Sequence, residues 1–286
     1  MAVSVVTDSL ASIPRDDAVA GGIEVVSLYI HDGESNAAEL DLDVAAFYRR
    51  LEDMRVLPTS SQPSVESFAT AFRDALTRSS EVLGIFCSSK MSGTLEAARI
   101  AADLVLAENP EARIELLDSG SNSMEEGFGV LAAASAAKVG ETIERCTEFA
   151  RETLGKTRYL FTPETLEYLR RGGRIGRASA LVGAVLQIKP ILTVEDGEVT
   201  TFSKVRTRGR ALAEIARAFS DDVAAFGLAQ VIVHYIGDPA PAERFARDQI
   251  EPVAARRVRI IPVSPVIGLH VGPAVGIVYE TERART

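Results

Sequence analysis

Glu81-Val82-Leu83-Gly84-Ile85-Phe86-Cys87-Ser88-Ser89-Lys90-Met91-Ser92-Gly93-Thr94, continuing through Leu95 to Glu108, is the stretch on which the fold turns. Glu81 to Cys87 is short and apolar enough to be a buried strand. Ser92 to Glu108 repeats apolar residues at helical spacing. Hydroxyls and free backbone N–H groups therefore gather where a strand ends and a helix begins. Open α/β sheets bind ligands at that edge, and helix dipoles favour anions there. A second hydroxyl-rich turn, Thr59-Ser60-Ser61-Gln62-Pro63-Ser64, lies upstream. Together the two turns suggest one anion clamp.

Working outward, strands and helices alternate. Val3 to Thr7 is a first buried strand, Pro14 to Ala20 a short helix with proline in its first turn, and Ile23 to Ile30 a second strand. Helices follow at Asp43 to Asp53 and from Pro63 to about Arg78. After the central strand and helix come a strand at Arg113 to Leu117 and helices at Ser123 to Lys138 and Glu141 to Leu154. This alternation predicts a parallel, Rossmann-like sheet over residues 1–156. The texture changes near Lys156. Thr157 to Phe161 is a strand, Pro163 to Arg171 a helix, and Ala178 to Leu186 a small-residue helix. Ile188 to Val194 and Val199 to Val205 form a hairpin around Glu195-Asp196-Gly197. Helices at Arg210 to Phe219 and Pro241 to Ile250 alternate with strands at Gln230 to Tyr235, Val258 to Val263 and Val275 to Tyr279. Residues 157–286 are thus expected to form a second α/β domain with a mixed sheet.

Composition narrows the function. With 47% apolar and 25% charged residues, the chain can build a large core and is not disordered. A net charge of -9 argues against nucleic acid as the main partner, which would need a basic face. Cys87 and Cys146 read as small buried hydrophobes. Met1-Ala2-Val3-Ser4 lacks the charged region of a signal peptide, and no apolar run reaches the ~18 residues of a membrane span. A cytoplasmic protein is expected, and a monomer, since no heptad or exposed apolar helix stands out.

Several residues could carry chemistry. Ser88, Ser89, Ser92 and Thr94, with the N–H groups of Gly93 and Thr94, could hold an anion, or Ser92 could simply cap its helix. Ser60 and Ser61 could do the same, or Ser61 or Gln62 could be an N-cap. His270 lies between glycines, in a loop free to approach a ligand; no metal-ligand spacing surrounds it. His31 and His234 look structural. Arg170, Arg171, Arg174 and Arg177 cluster around Gly172-Gly173, and Lys189 is a further cation; such a patch is either a solvated charge run or a seat for an acidic partner or a phosphate. Gly-x-x-x-x-Gly-Lys-[Ser/Thr], Gly-x-Gly-x-x-Gly after the first strand and Gly-x-Ser-x-Gly are all absent. The chain looks built to hold an anion rather than to transform it.

These motifs, in this order, resemble the DegV family along essentially the whole chain. The likeness is carried by Val5-Val6-Thr7-Asp8-Ser9, Thr59 to Ser64, Ser88 to Thr94, Asp118-Ser119, Leu169 to Arg177, Ile188-Lys189-Pro190-Ile191-Leu192 and His270-Val271-Gly272-Pro273. The resemblance implies two different α/β domains with a long-chain fatty acid, of the palmitate or oleate class, between them. It implies a non-enzymatic lipid-binding subunit of a bacterial fatty-acid kinase, without a cofactor, whose partner phosphorylates the bound carboxylate. The carboxylate ligands map to Ser60, with Ser61 its neighbour, and to Ser92 and His270, with Gly93 and Thr94 alongside Ser92. The kinase-docking surface maps to Arg170, Arg171, Arg174 and Arg177. Leu181, Val185, Ile191 and Ile267 are candidates to line the tail, or are ordinary core. Two positions depart from the family pattern: Ser60 stands where threonine is usual, and Ala274 replaces a glycine. The rival readings are an enzyme acting on a small carboxylated or phosphorylated metabolite, with the Ser92 turn as anion hole and His270 as acid/base, and a regulatory module working through its arginines.

Overall fold

A computed structural model describes residues 3–33, 35–54, 56–181 and 188–285. Its strands are, in chain order, β1 (Ser4–Asp8), β2 (Ile23–Val26), β3 (Tyr29–His31), β4 (Asn36–Ala38), β5 (Thr59–Ser61), β6 (Glu81–Phe86), β7 (Arg113–Asp118), β8 (Thr157–Pro163), β9 (Lys189–Glu195), β10 (Glu198–Val205), β11 (Gln230–Ile236), β12 (Arg259–Pro262) and β13 (Ala274–Glu280). The chain divides into two compact units: Met1–Leu42 with Pro58–Gly155, and Asp43–Leu57 with Lys156–Thr286.

In the first unit a sheet of order β2-β1-β6-β7 is parallel throughout. Successive residues of its strands feed opposite cores, as the pleat requires. Val5, Leu83 and Ile85 pack with Val130, Ala133, Ile143 and Cys146 of the helices Ser123–Lys138 and Ile143–Lys156. Val6, Val82 and Phe86 pack with Phe68, Phe72, Leu95 and Ala98 of the helices Val65–Leu76 and Thr94–Glu108. Helices on both faces explain why β6 reads as a continuous apolar run rather than an alternating one.

A small antiparallel sheet of order β4-β3-β5 accompanies it. Here the sequence expectation of one strand from Ile23 to Ile30 is corrected. The strand breaks at Ser27-Leu28 and its halves join different sheets. The Leu28 N–H donates to Ser9 Oγ (2.9 Å) and its carbonyl accepts from the Glu39 N–H (2.9 Å), so neither group is left for a ladder.

The second unit holds a mixed sheet of order β10-β9-β8-β13-β11-β12, antiparallel except between β11 and β12. The β9–β10 hairpin turns on Asp196-Gly197, both at positive φ (51° and 79°), the conformation of a type I′ turn. Ala211, Ile215 and Phe219 of the helix Arg208–Phe226 cover Leu160, Ile191, Ile277 and Tyr279. That helix runs on past Phe219, where the sequence reading stopped. The helix Val44–Asp53 also belongs to this unit, and its Tyr48 hydroxyl donates to the carbonyls of Val263 (2.6 Å) and Ser264 (3.1 Å).

Three helix expectations change here. Pro163 to Arg171 shortens to a helix at Glu167–Arg171, with Pro163 closing β8. The expected helix near Ala178 is a 3₁₀ segment, Gly176–Leu181, and Val185 lies outside the described residues. His270 is not in a loop but in a helix, Pro265–Val271. Ser264 caps that helix, accepting from the Ile267 N–H (3.3 Å), Pro265 occupies its first turn, and Gly272 at φ +71° ends it.

Candidate ligand site

At the carboxyl end of β6 the chain folds back on one carbonyl. Ser88 O accepts from the amides of Met91 (3.0 Å) and Ser92 (3.1 Å), while the Ser88 N–H donates to Ser121 O (2.7 Å). The turn delivers Ser92 beside the helix Thr94–Glu108. Ser92 Oγ and Thr94 Oγ1 lie 2.8 Å apart, and Ser92 Oγ accepts from the Thr94 N–H at 3.3 Å. The N-cap itself is Gly93, which has no side chain to offer.

Gly93 is also where the two hydroxyl-rich turns meet. A Cβ at this position would stand 2.3 Å from Gln62 Oε1, so the Gln62 carboxamide rests directly on the glycine. The first turn therefore reaches the second through Gln62. Ser60 and Ser61 belong to β5, opposite Ile30 and Tyr29. They do not cap a helix. That task falls to Ser64, whose hydroxyl accepts from the Ser67 N–H (3.0 Å). Ser61 Oγ is hydrogen-bonded to His31 Nε2 at 2.8 Å, so His31 buttresses the serine strand.

Beneath the Ser92 turn lies a cluster that the sequence reading missed. Asp8 is fully buried and accepts from the amides of Leu10 (2.8 Å) and Cys87 (2.9 Å). Burial outweighs these bonds and pushes its carboxyl up to about 6. Glu126, also fully buried, accepts from Thr7 Oγ1 at 3.3 Å, and its Oε2 has no hydrogen-bond partner among the described residues. Burial, then the nearby Asp8, push Glu126 well above the usual carboxylate range. Cys87 is tied to this cluster through its backbone, its N–H donating to Asp8, while burial, then the charges of Asp8 and Glu126, push its buried thiol well above the ordinary value. One sequence signal pointed here, namely Glu125-Glu126 inside a helix otherwise made of small and apolar residues.

In the second unit the His270 ring lies against backbone. A Cβ on Gly172 would stand 2.3 Å from His270 Nδ1. Burial, then the charge of Arg174, push the imidazole down to about 4, so it is neutral near pH 7. Of the arginine cluster, Arg170 and Arg171 both bind Glu167 (2.7 and 2.6 Å), and Arg177 binds Asp196 (2.8 Å) and Glu198 (3.3 Å). Arg174 donates through Nη1 to Gly172 O (2.7 Å). Lys189 Nζ donates to Glu164 O (2.7 Å). Leu181, Ile191 and Ile267 are buried, and Ile191 packs in the core beneath the helix Arg208–Phe226. Among the described residues no group of three His, Cys, Asp or Glu side chains is placed to hold a metal ion, and no helix is long and apolar enough to cross a membrane.

A family model described as "Uncharacterised protein, DegV family" matches residues 2–282. The chain belongs to the DegV family. A DegV domain-containing protein of Clostridium acetobutylicum is 40% identical over 289 residues, which cover 99% of either chain. Among solved structures, a DegV-family protein from Thermus thermophilus described by its fatty acid binding superposes with a TM-score of 0.86 at 29% identity, over 98% of this chain and 100% of that one. DegV from Bacillus subtilis, described as a fatty acid binding protein, gives 0.86 at 29% identity over 98% and 99% of the two chains.

Proposed function

We propose that this protein binds a long-chain fatty acid and presents its carboxylate to a partner kinase, which forms the acyl phosphate. The observation that carries the reading is the meeting of the two hydroxyl-rich turns at Gly93 and Gln62, in a chain whose DegV relatives bind fatty acids. In this reading Ser60, Ser61, Ser92 and Thr94 offer hydroxyls, the backbone of Gly93 and Thr94 offers N–H groups, and His270 offers a neutral imidazole.

The energetics fit. A tail of roughly sixteen carbons buries about fifteen CH₂ or CH₃ groups, a gross transfer of ~12 kcal/mol at ~0.8 kcal/mol each. Several kcal/mol of lost translation and rotation are subtracted from it. A carboxylate buried without partners would erase the remainder, and hydrogen bonds of ~1.5–3 kcal/mol each to a charged group offset that cost. Neutral donors suit the task better than a cation, because an ion pair would blunt the oxygen that must attack ATP. A neutral His270 serves as such a donor. An imidazole held near 4 makes a poor acid/base near neutral pH, which disfavours the metabolite-enzyme reading. Arg170, Arg171, Arg174 and Arg177 would dock the kinase, with the binding protein acting as a cytoplasmic monomer.

The test is mass spectrometry on an organic extract of the purified protein, followed by reconstitution with ATP and a bacterial fatty-acid kinase. One equivalent of fatty acid is expected, with acyl phosphate (trapped as the hydroxamate) formed only when the lipid-loaded protein is present. A protein that carries no lipid and takes up neither palmitate nor oleate refutes the binding reading. Lipid uptake without acyl phosphate refutes the presentation step.

A further inference from the structure

The contact between His270 and Gly172 belongs to a closed ring of contacts. The His270 ring lies on Gly172, and the Gly172 N–H donates to Tyr168 O (2.8 Å). The Tyr168 ring in turn fills the space beside Gly272, where a Cβ would stand 2.4 Å from Tyr168 Cδ2. Gly272 closes the His270 helix, its N–H donating to Gly268 O (2.8 Å). Two short helices, Glu167–Arg171 and Pro265–Val271, therefore interlock at two points, each a ring seated on a glycine. At both points any side chain on the glycine would have to displace the ring.

The arginine loop is fastened to the same ring of contacts. Gly172 O accepts from Arg174 Nη1 (2.7 Å), and the Arg174 N–H donates to O of the buried Leu169 (3.1 Å). The Gly173 N–H donates to Arg170 O (3.2 Å). A shift of the imidazole thus presses on the residue whose carbonyl holds the Arg174 guanidinium. The half-buried ring stands so close to Gly172 that a displacement of one leaves the other little free volume in which to absorb it.

We propose that the Gly172–Gly173–Arg174 loop senses the occupancy of His270: a ligand on the imidazole re-seats Gly172 and so biases the arginine-bearing surface, letting a partner tell a loaded molecule from an empty one. This rests on the reading of His270 as a carboxylate ligand. Coupling between two sites is reciprocal, so whatever holds Arg174 in its ligand-bound arrangement must tighten fatty-acid binding by the same factor, on the order of 5- to 150-fold for typical couplings. Gly172 is in this sense a positioning residue for His270.

The experiment uses the full-length ¹⁵N-labelled protein with and without saturating oleate. It follows the His270 ring resonances and the exchange rates of the Gly173 and Arg174 amides. Oleate is expected to shift the His270 ring and to slow both amides at least about fivefold, the lower end of the coupling range. In His270→Ala and in Gly172→Ala, the two amides are expected to exchange equally fast with and without saturating oleate. In Gly172→Ala the ring resonances of His270 should already be displaced without ligand. Should that variant fail to fold, His270→Ala decides alone. If the ring shifts in the wild type while the amides do not respond, the coupling is refuted and His270 remains a ligand. Protection that persists in His270→Ala also refutes it. If oleate binds without moving the ring, His270 is not the carboxylate ligand, and both readings fall.

Discussion

Replacing Glu126 by Gln should stabilise the protein, and increasingly so as the pH rises. Glu126 is fully buried and so fully desolvated: Thr7 Oγ1 donates to its Oε1 at 3.3 Å, and Oε2 has no partner among the described residues. Asp8 lies close enough to add repulsion. The native state therefore keeps a proton on Glu126 at pH values where the unfolded chain, near the ordinary 4.5, has released it. Below 4.5 both states are protonated and the residue contributes no pH dependence. Above it the native state binds the extra proton, so wild-type stability falls by about 1.4 kcal/mol per pH unit until the native group itself ionises. Gln keeps an oxygen for Thr7 and cannot ionise, so this slope disappears. Each pH unit in the window should widen the gap in Tm by roughly 3–6 °C, taking about 2–4 °C per kcal/mol for a chain near this size. The assay is thermal denaturation of both proteins followed by circular dichroism at pH 5, 6, 7 and 8. A gap that stays constant with pH, or a variant less stable than wild type at pH 7, would show that native Glu126 is ionised and compensated, and would overturn the reasoning.

On the proposed site, Ser92→Ala would remove one hydroxyl bond of ~1.5–3 kcal/mol to the carboxylate, so fatty-acid affinity should fall about 10- to 150-fold with the fold intact, as calorimetric titration would show. An unchanged Kd would move the clamp away from the Ser92 turn. Asp222→Ala strips the shared acceptor of the partly buried Arg158 (2.8 Å) and of the hydroxyl of the fully buried Tyr279 (2.7 Å). It should cost about 2–3 kcal/mol in urea denaturation, discounted from a fully buried pair because Arg158 still meets solvent. A loss below 0.5 kcal/mol, the range of an ordinary surface change, would mean that water replaces the carboxylate.

The alternation of β1, β2, β6 and β7 with amphipathic helices was legible because burial on both faces of a parallel sheet leaves a local signature in each segment. The Asp196-Gly197 hairpin was legible for a similar reason, since two consecutive residues at positive φ demand a particular pair of side chains. The glycines flanking His270 and the following Pro273 favour a loop locally, whereas Ser264-Pro265 upstream is an ordinary helix start and the helix prevails. Ser61 and Gln62 precede Pro63 as caps often do, yet Ser64 is the residue whose hydroxyl accepts from a first-turn amide of the helix.

The sequence by itself determined the alternation of elements, the parallel and mixed character of the two sheets and the hydroxyl-rich turns, because periodicity and turn chemistry act over a few neighbouring residues. Only the tertiary structure decided that the second strand breaks at Leu28, where Ser9 and Glu39 take its amide and carbonyl. Only it decided that Tyr48 fastens its helix to residues 263 and 264, that Gln62 rests on Gly93, that Gly172 carries the His270 ring, and that Glu126 is buried beside Asp8. Each of these depends on which distant groups share a few ångströms of space, and no local pattern in the chain encodes such a pairing.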